Sequence, residues 1–179
     1  REVLNSYRAQ IDASSVLTDK GLEEGKYLLV SAHREENVDS PERLRALLDC
    51  LTAAYSHFRM PVFVSTHPRT RKRLEALPDW SEPEGITFSE PLGFHDYNKL
   101  QLSAACCLSD SGTIAEESSI LGFPAITLRD SIERPEALDT GGIMMTGLHA
   151  EDVVAAVQVA MDSGYTREGV SQLTPDDYL

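Results

Sequence analysis

Apolar residues fall along this chain in short unbroken runs of strand length, and each run empties into a polar or glycine-bearing segment. The runs are Tyr27-Leu28-Leu29-Val30, Val62-Phe63-Val64-Ser65, Ile86-Thr87-Phe88, Cys106 to Ser109, Ala125-Ile126-Thr127-Leu128 and Gly142-Ile143-Met144-Met145. A continuous rather than alternating run marks a strand covered on both faces, as in a parallel sheet between helices. Helical periods lie between them. After a cap at Asp39 or Ser40, Pro41 takes the first helical position, and Leu44, Leu47, Leu48, Leu51 and Tyr55 recur on one face. Arg69 to Leu77 reads as a short basic helix and Asp96 to Ala105 as another. A further helix stops at Leu121-Gly122-Phe123-Pro124, and Ala150 to Met161 turns Val153, Val154, Val157 and Met161 inward. Strands alternating with helices at this spacing predict an α/β fold with a doubly wound parallel sheet and right-handed crossovers.

In such a sheet the ligand crevice lies beyond the carboxyl ends of the strands. That rule gathers the loops at His33, His67, Gly93, Ser111 and Arg129 to Arg134 along one edge. The richest of them is Ser109-Asp110-Ser111-Gly112-Thr113-Ile114-Ala115-Glu116-Glu117. A buried strand breaking through a Ser/Gly turn into a helix aims the first helical amides at whatever lies above the strand end, a place that favours an anion. Gly112 allows close backbone approach, Ser111 adds a hydroxyl, and Glu117 could accept hydrogen bonds from a pair of sugar hydroxyls. A nucleotide diphosphate fits this pattern. The plainer alternative is that Asp110 or Ser111 caps the helix while Glu116 and Glu117 sit in its solvated first turns.

Other polar residues divide the same way. His33, directly after a strand and beside Arg34 and Glu35, favours a site role over a packing one. His57, His95 and His149 read as surface or packing residues, and Arg69, Arg71, Lys72 and Arg73 as a solvated helix face. Glu133-Arg134-Pro135-Glu136 could be a helix start with an ion pair, but its place after the fifth strand favours ligand contact.

Composition narrows the partners. At 179 residues the chain is one domain with a full core, and its net charge of −13 argues against a nucleic-acid partner. No apolar run approaches the roughly 20 residues of a membrane span, so the expectation is a cytoplasmic protein. Cys50 and the pair Cys106-Cys107 lack a C-x-x-C spacing and read as reduced core residues. No cluster has metal-ligand spacing, and the Ser-Gly turn is neither a dinucleotide fingerprint nor a P-loop, which disfavours nicotinamide and ATP.

Four stretches together, Ala32-His33-Arg34-Glu35-Glu36-Asn37, Thr66-His67-Pro68, Ser109-Asp110-Ser111-Gly112 with Glu116-Glu117, and Arg129-Asp130 with Glu133-Arg134-Pro135-Glu136, resemble the non-hydrolysing UDP-N-acetylglucosamine 2-epimerases. The resemblance runs from about Tyr27 to Met161. It implies the Rossmann-like carboxyl-terminal half of a two-domain fold of the glycosyltransferase-B type, with 1–20 as an interdomain segment and 164–179 as a truncated crossover tail. It further implies inversion at C2 by elimination and re-addition of UDP, with no cofactor and a homodimeric whole enzyme. By the same resemblance Ser111 and Gly112 hold phosphate oxygens, Glu117 the ribose, and Arg34 and Arg134 the charge growing on UDP. Gly93, Phe94 and Tyr97 bracket the uracil, His33 is the site histidine, and His67 lies near a regulatory nucleotide-sugar site. The family's acid and base carboxylates belong to an amino-terminal domain without a counterpart here, so this chain alone is expected to be inactive. His-Arg-Glu-Glu-Asn, and Ser-Gly-Thr where many members have Ser-Gly-Gly, resemble the capsule and O-antigen branch, including enzymes of UDP-N-acetyl-L-fucosamine-type sugars. The donor half of a glycosyltransferase, or a non-catalytic nucleotide-sugar module, is the alternative.

Overall fold

The computed structural model describes residue 9, residues 11–130 and residues 143–163. Strands β1 (Leu28–Ser31), β2 (Val62–Ser65), β3 (Ile86–Ser89), β4 (Cys106–Ser109), β5 (Ala125–Thr127) and β6 (Met144–Met145) form one parallel sheet in the order β3-β2-β1-β4-β5-β6. The helices are α1 (Val16–Asp19), α2 (Glu35–Val38), α3 (Pro41–Phe58), α4 (Pro68–Glu75), α5 (Phe94–Ser103), α6 (Ile114–Leu121) and α7 (Ala150–Asp162). The strand order reverses between β1 and β4, which makes their exits the switch point of a Rossmann-like sheet.

Side chains alternate between two cores, as the period of a strand requires. Leu28, Val30, Val62, Val64, Cys106 and Leu108 pack under α3 and α7, while Tyr27, Leu29, Phe63 and Cys107 join Leu100, Leu102 and Ile114 on the other face. Both covers are apolar, which explains the unbroken runs in the sequence. All three cysteines are buried and free; burial pushes the Cys50 thiol up to about 11 and the Cys106 thiol up to about 12, so neither is a ready nucleophile.

The strands stop at one level. The last registered pairs are Ser65 with Ser89, Ser31 with Ser65, Ser31 with Ser109, and Ser109 with Thr127, so a row of hydroxyls runs from β3 to β5 where the apolar runs end.

Several boundaries differ from expectation. The first strand includes Ser31 and begins after Tyr27, whose hydroxyl instead donates to the Leu100 carbonyl. The segment after β1 is not simply a polar loop: it contains α2, which buries Asn37 and Val38. Ser40, not Asp39, caps α3 by accepting from the Arg43 N–H at 3.2 Å. α5 starts at Phe94 with Gly93 as its cap, two residues earlier than expected. The basic face of α4 is not merely solvated: Arg69 pairs with Glu35 and Asp39, Arg73 pairs with Asp39, and Arg71 donates to the Phe88 carbonyl. The sixth strand begins at Met144, with its expected first residue, Gly142, outside the described residues.

Candidate functional site

The switch point is held by a residue whose long-range role the sequence did not disclose. Asp110, 1% exposed, accepts from the main-chain N–H groups of His33 and Arg34, each at 3.0 Å, and from Asn37 Nδ2 at 2.8 Å. Its own N–H donates to the Ser31 carbonyl at 3.1 Å. Asp110 therefore does not cap α6, the plainer role open to it. It joins the exits of β1 and β4, and parallel register makes this possible by setting Ser31 beside Ser109.

The Ser/Gly turn forms its own small network. Ser111 N–H donates to Ser109 Oγ at 3.0 Å, and Ser111 Oγ accepts from the Thr113 N–H at 3.2 Å. Thr113 is the cap residue of α6 but makes no side-chain capping bond, and the Glu117 N–H to Thr113 carbonyl bond, 3.0 Å, closes the first turn. The amides before it point out of the helix entrance. Gly112 has no left-handed φ, and a methyl group there would meet only Arg129 Nη1, at 3.4 Å. The fold itself does not require glycine at this position; what glycine preserves is the space above the amides.

Arg129, which the sequence placed among the crevice loops without a contact of its own, thus brings a guanidinium to the Ser/Gly turn. Its β5-exit position follows from Ser109 pairing with Thr127, and its N–H donates to Thr127 Oγ1 at 3.3 Å. No described carboxylate pairs with it. Arg34 is placed at the same switch point, with its guanidinium turned to Glu36 at 2.6 Å. That pair is exposed, and exposed pairs are worth little, so a phosphate could replace the carboxylate. Arg134 lies outside the described residues.

On the other flank, Glu117 accepts from Gln101 Nε2 at 3.4 Å, and Gln101 is 2% exposed. A buried amide from α5 thereby orients the carboxylate proposed for sugar hydroxyls. Tyr97, half-buried on α5, shares the Ser31 hydroxyl with His33, whose Nε2 lies 2.9 Å from Ser31 Oγ. Burial, the leading cause, pushes the Tyr97 phenol up to about 12, with Cys107 and Glu117 adding to the rise, so it can only pack and hydrogen-bond. Phe94, at the exposed start of α5 beside Gly93, is 61% exposed, an open aromatic face on the rim.

His33 keeps an exposed face, yet partial burial holds its imidazole below its usual 6.5; Asp110 opposes that shift and His67 adds to it. The ring is a neutral hydrogen-bonding group at neutral pH. His67 serves the local structure. With Pro68 at the first helical position, its Nδ1 accepts from the Arg69 N–H at 3.1 Å and caps α4. Among the described residues no group of His, Cys, Asp and Glu has the geometry to hold a metal ion, and no helix is long and apolar enough to cross a membrane.

The sequence matches the family described as UDP-N-acetylglucosamine 2-epimerase over residues 2–178. The UDP-N-acetylglucosamine 2-epimerase of Methanocaldococcus jannaschii is 34% identical over 139 residues, covering 76% of this chain and 38% of that relative. The structure of UDP-N-acetylglucosamine 2-epimerase from Rickettsia bellii superposes with a TM-score of 0.74 at 35% identity, over 99% of this chain and 52% of that one. The M. jannaschii enzyme in complex with UDP-GlcNAc and UDP superposes with a TM-score of 0.74 at 30% identity, over 88% of this chain and 45% of that one. The chain thus spans about half, or less, of the length of these relatives.

Proposed function

This chain belongs to the UDP-N-acetylglucosamine 2-epimerase family, and from that premise we propose that it forms the nucleotide-binding half of an enzyme inverting C2 of a UDP-N-acetylhexosamine. The observation that carries the reading is the space over Gly112, which the fold does not need and a diphosphate would fill, beside the guanidinium of Arg129.

In this reading Ser111 and Gly112 bind phosphate oxygens at the entrance of α6. Arg129 and Arg34, with Arg134, offset the charge that grows on UDP as the C1–O bond breaks, where paired guanidinium donors suit phosphate geometry. Glu117, steadied by Gln101, accepts from the ribose hydroxyls. Phe94, with Gly93 and Tyr97, frames the base. His33 is the catalytic-side histidine of this half, a neutral ring beside the sugar and the diphosphate. A base removes the C2 proton and UDP departs, leaving a glycal; the proton returns to the opposite face and UDP adds back to C1. Loss of UDP mid-reaction would waste the turnover, so a rigid cradle serves catalysis directly. The acid and base carboxylates come from an amino-terminal domain, with 1–20 leading from it and 164–179 returning to it, in a glycosyltransferase-B-type arrangement. The His33 to Asn37 and Ser111 to Thr113 forms favour a sugar for capsule or O-antigen, of the UDP-N-acetyl-L-fucosamine type.

Two measurements test this. Calorimetric titration of this chain is expected to show UDP binding at least about tenfold tighter than uridine, since charge-assisted hydrogen bonds contribute about 1.5–3 kcal/mol each. Equal affinity would remove the diphosphate cradle. In protein carrying both halves, a panel of UDP-sugars in heavy water is expected to show deuterium entering at C2; sugar transfer to an acceptor without that exchange would make the protein a glycosyltransferase instead.

A further inference from the structure

The polar groups around Asp110 extend beyond the two exits it joins. The Asn37 amide, 1% exposed, gives Nδ2 to Asp110 and receives Arg43 Nη2 on Oδ1 at 2.8 Å. The same guanidinium nitrogen donates to Asp130 Oδ2 at 3.3 Å. Asp130 directly follows Arg129 at the exit of β5, and its Oδ1 lies against Gly147, where an added Cβ would approach to 2.5 Å.

A single line of bonded groups therefore runs Asp130, Arg43, Asn37, Asp110 and then the main chain of His33 and Arg34. It links the exits of β5, β4 and β1 through the first turn of α3. Its polarity is fixed at every step: the Asn37 oxygen must face the cation and its NH₂ the carboxylate, because reversing that amide sets donor against donor and acceptor against acceptor. Among the described residues no cation touches Asp110 directly, so Arg43 reaches that carboxylate only through Asn37. The Asn37–Asp110 step is buried, where a polar network with one satisfied arrangement is costly to break, while the Arg43–Asp130 step lies nearer solvent.

We propose that Arg43 is a positioning residue that couples the β5 exit, with Arg129 and Asp130, to the His33-Arg34 segment, so that an anion held at one is registered at the other. The use of the coupling rests on the nucleotide reading above; the coupling itself is measurable without nucleotide. Arg43 and Asp130 are the members to change, since their side chains are 34% and 43% exposed and neither is needed to fill the core.

The test is a double-mutant cycle read by the NMR resonances of the His33 imidazole and amide in this chain with no ligand present. Asp130→Asn is expected to shift those resonances when Arg43 is present and to leave them unmoved in an Arg43→Met background, with Arg43→Lys in between. Equal shifts in both backgrounds, or none in either, overturn the coupling. With UDP added, Arg43→Met is expected to weaken binding about fivefold and Arg43→Lys by less than about twofold. A wild-type chain that takes no UDP while the cycle stays non-additive sinks the nucleotide reading and leaves the coupling standing; UDP binding with an additive cycle does the reverse.

Discussion

The carboxylate of Asp110 takes the main-chain N–H of His33 at 3.0 Å, so the residue leaving β4 sets the path of the chain leaving β1. Arg34 N–H and Asn37 Nδ2 complete its shell. Asp110→Ala leaves three donors facing a methyl group. An unmet buried donor costs about 1–3 kcal/mol, and local water recovers part of the sum, so a loss of about 3 kcal/mol is expected in urea unfolding. Asp110→Asn keeps one acceptor and should lose about half as much. A change below about 0.5 kcal/mol in the alanine variant would mean the three bonds are not holding the switch point.

Gly112 separates folding from binding. Since a methyl group there meets only Arg129 Nη1 at 3.4 Å, Gly112→Ala is expected to leave the urea midpoint unchanged or slightly raised, because alanine restricts the unfolded chain. UDP affinity should fall at least about tenfold, as the methyl occupies the space a phosphate oxygen needs. Gly85→Ala is the contrasting case. Its φ of +78° and a Cβ 2.1 Å from the Tyr55 ring predict a loss of stability of several kcal/mol with no local effect on the nucleotide turn.

If Glu117 reads the ribose, its contribution must depend on the sugar. Glu117→Ala should weaken UDP binding about fivefold, the worth of one net hydrogen bond of about 1 kcal/mol, and weaken 2′-deoxyuridine diphosphate less. Calorimetry with both nucleotides checks this, and equal losses would move Glu117 away from the ribose. Gln101→Leu, which removes the amide 3.4 Å from Glu117, should reproduce part of the loss.

The depressed titration of His33 gives a definite pH effect. As pH falls, the unfolded chain takes up the proton first, near 6.5, while the folded chain resists because partial burial disfavours the charged ring. The stability tied to His33 is therefore complete above about pH 6.5 and declines as pH drops towards the folded value, below which the penalty is constant. His33→Gln should flatten the dependence of the urea midpoint on pH across that window, relative to wild type. Since Asp110 raises the His33 value, Asp110→Asn should depress it further in an NMR titration.

The sheet was legible because its cause is local. A strand covered on both faces needs four or so apolar residues in a row, and the runs at β1, β2, β4 and β5 became such strands, while edge strand β3 alternates with Thr87 exposed. The strand–turn–helix at Ser109 to Ile114 was legible for the same reason, since strand, glycine and helix follow one another directly. Asp110 was not, because its partners lie more than 70 residues away and become neighbours only through the pairing of Ser31 with Ser109. Asn37 was read only as the end of the polar stretch after the first strand, and its burial with Val38 in α2 had no local signal. Arg43 drew no reading, and Arg129 was gathered with the crevice loops, but only the β4–β5 register set it beside Gly112.

The hydroxyl row along the strand ends also bears on how the chain avoids misthreading. A strand displaced by one residue would raise an aliphatic side chain into that row and sink a hydroxyl among methyls. It would also exchange the contents of the two cores, sending Tyr27 and Leu29 where Leu28 and Val30 belong. The serines and the threonine thus act as a ruler printed on the sheet, penalising an out-of-step assembly before any loop above it has closed.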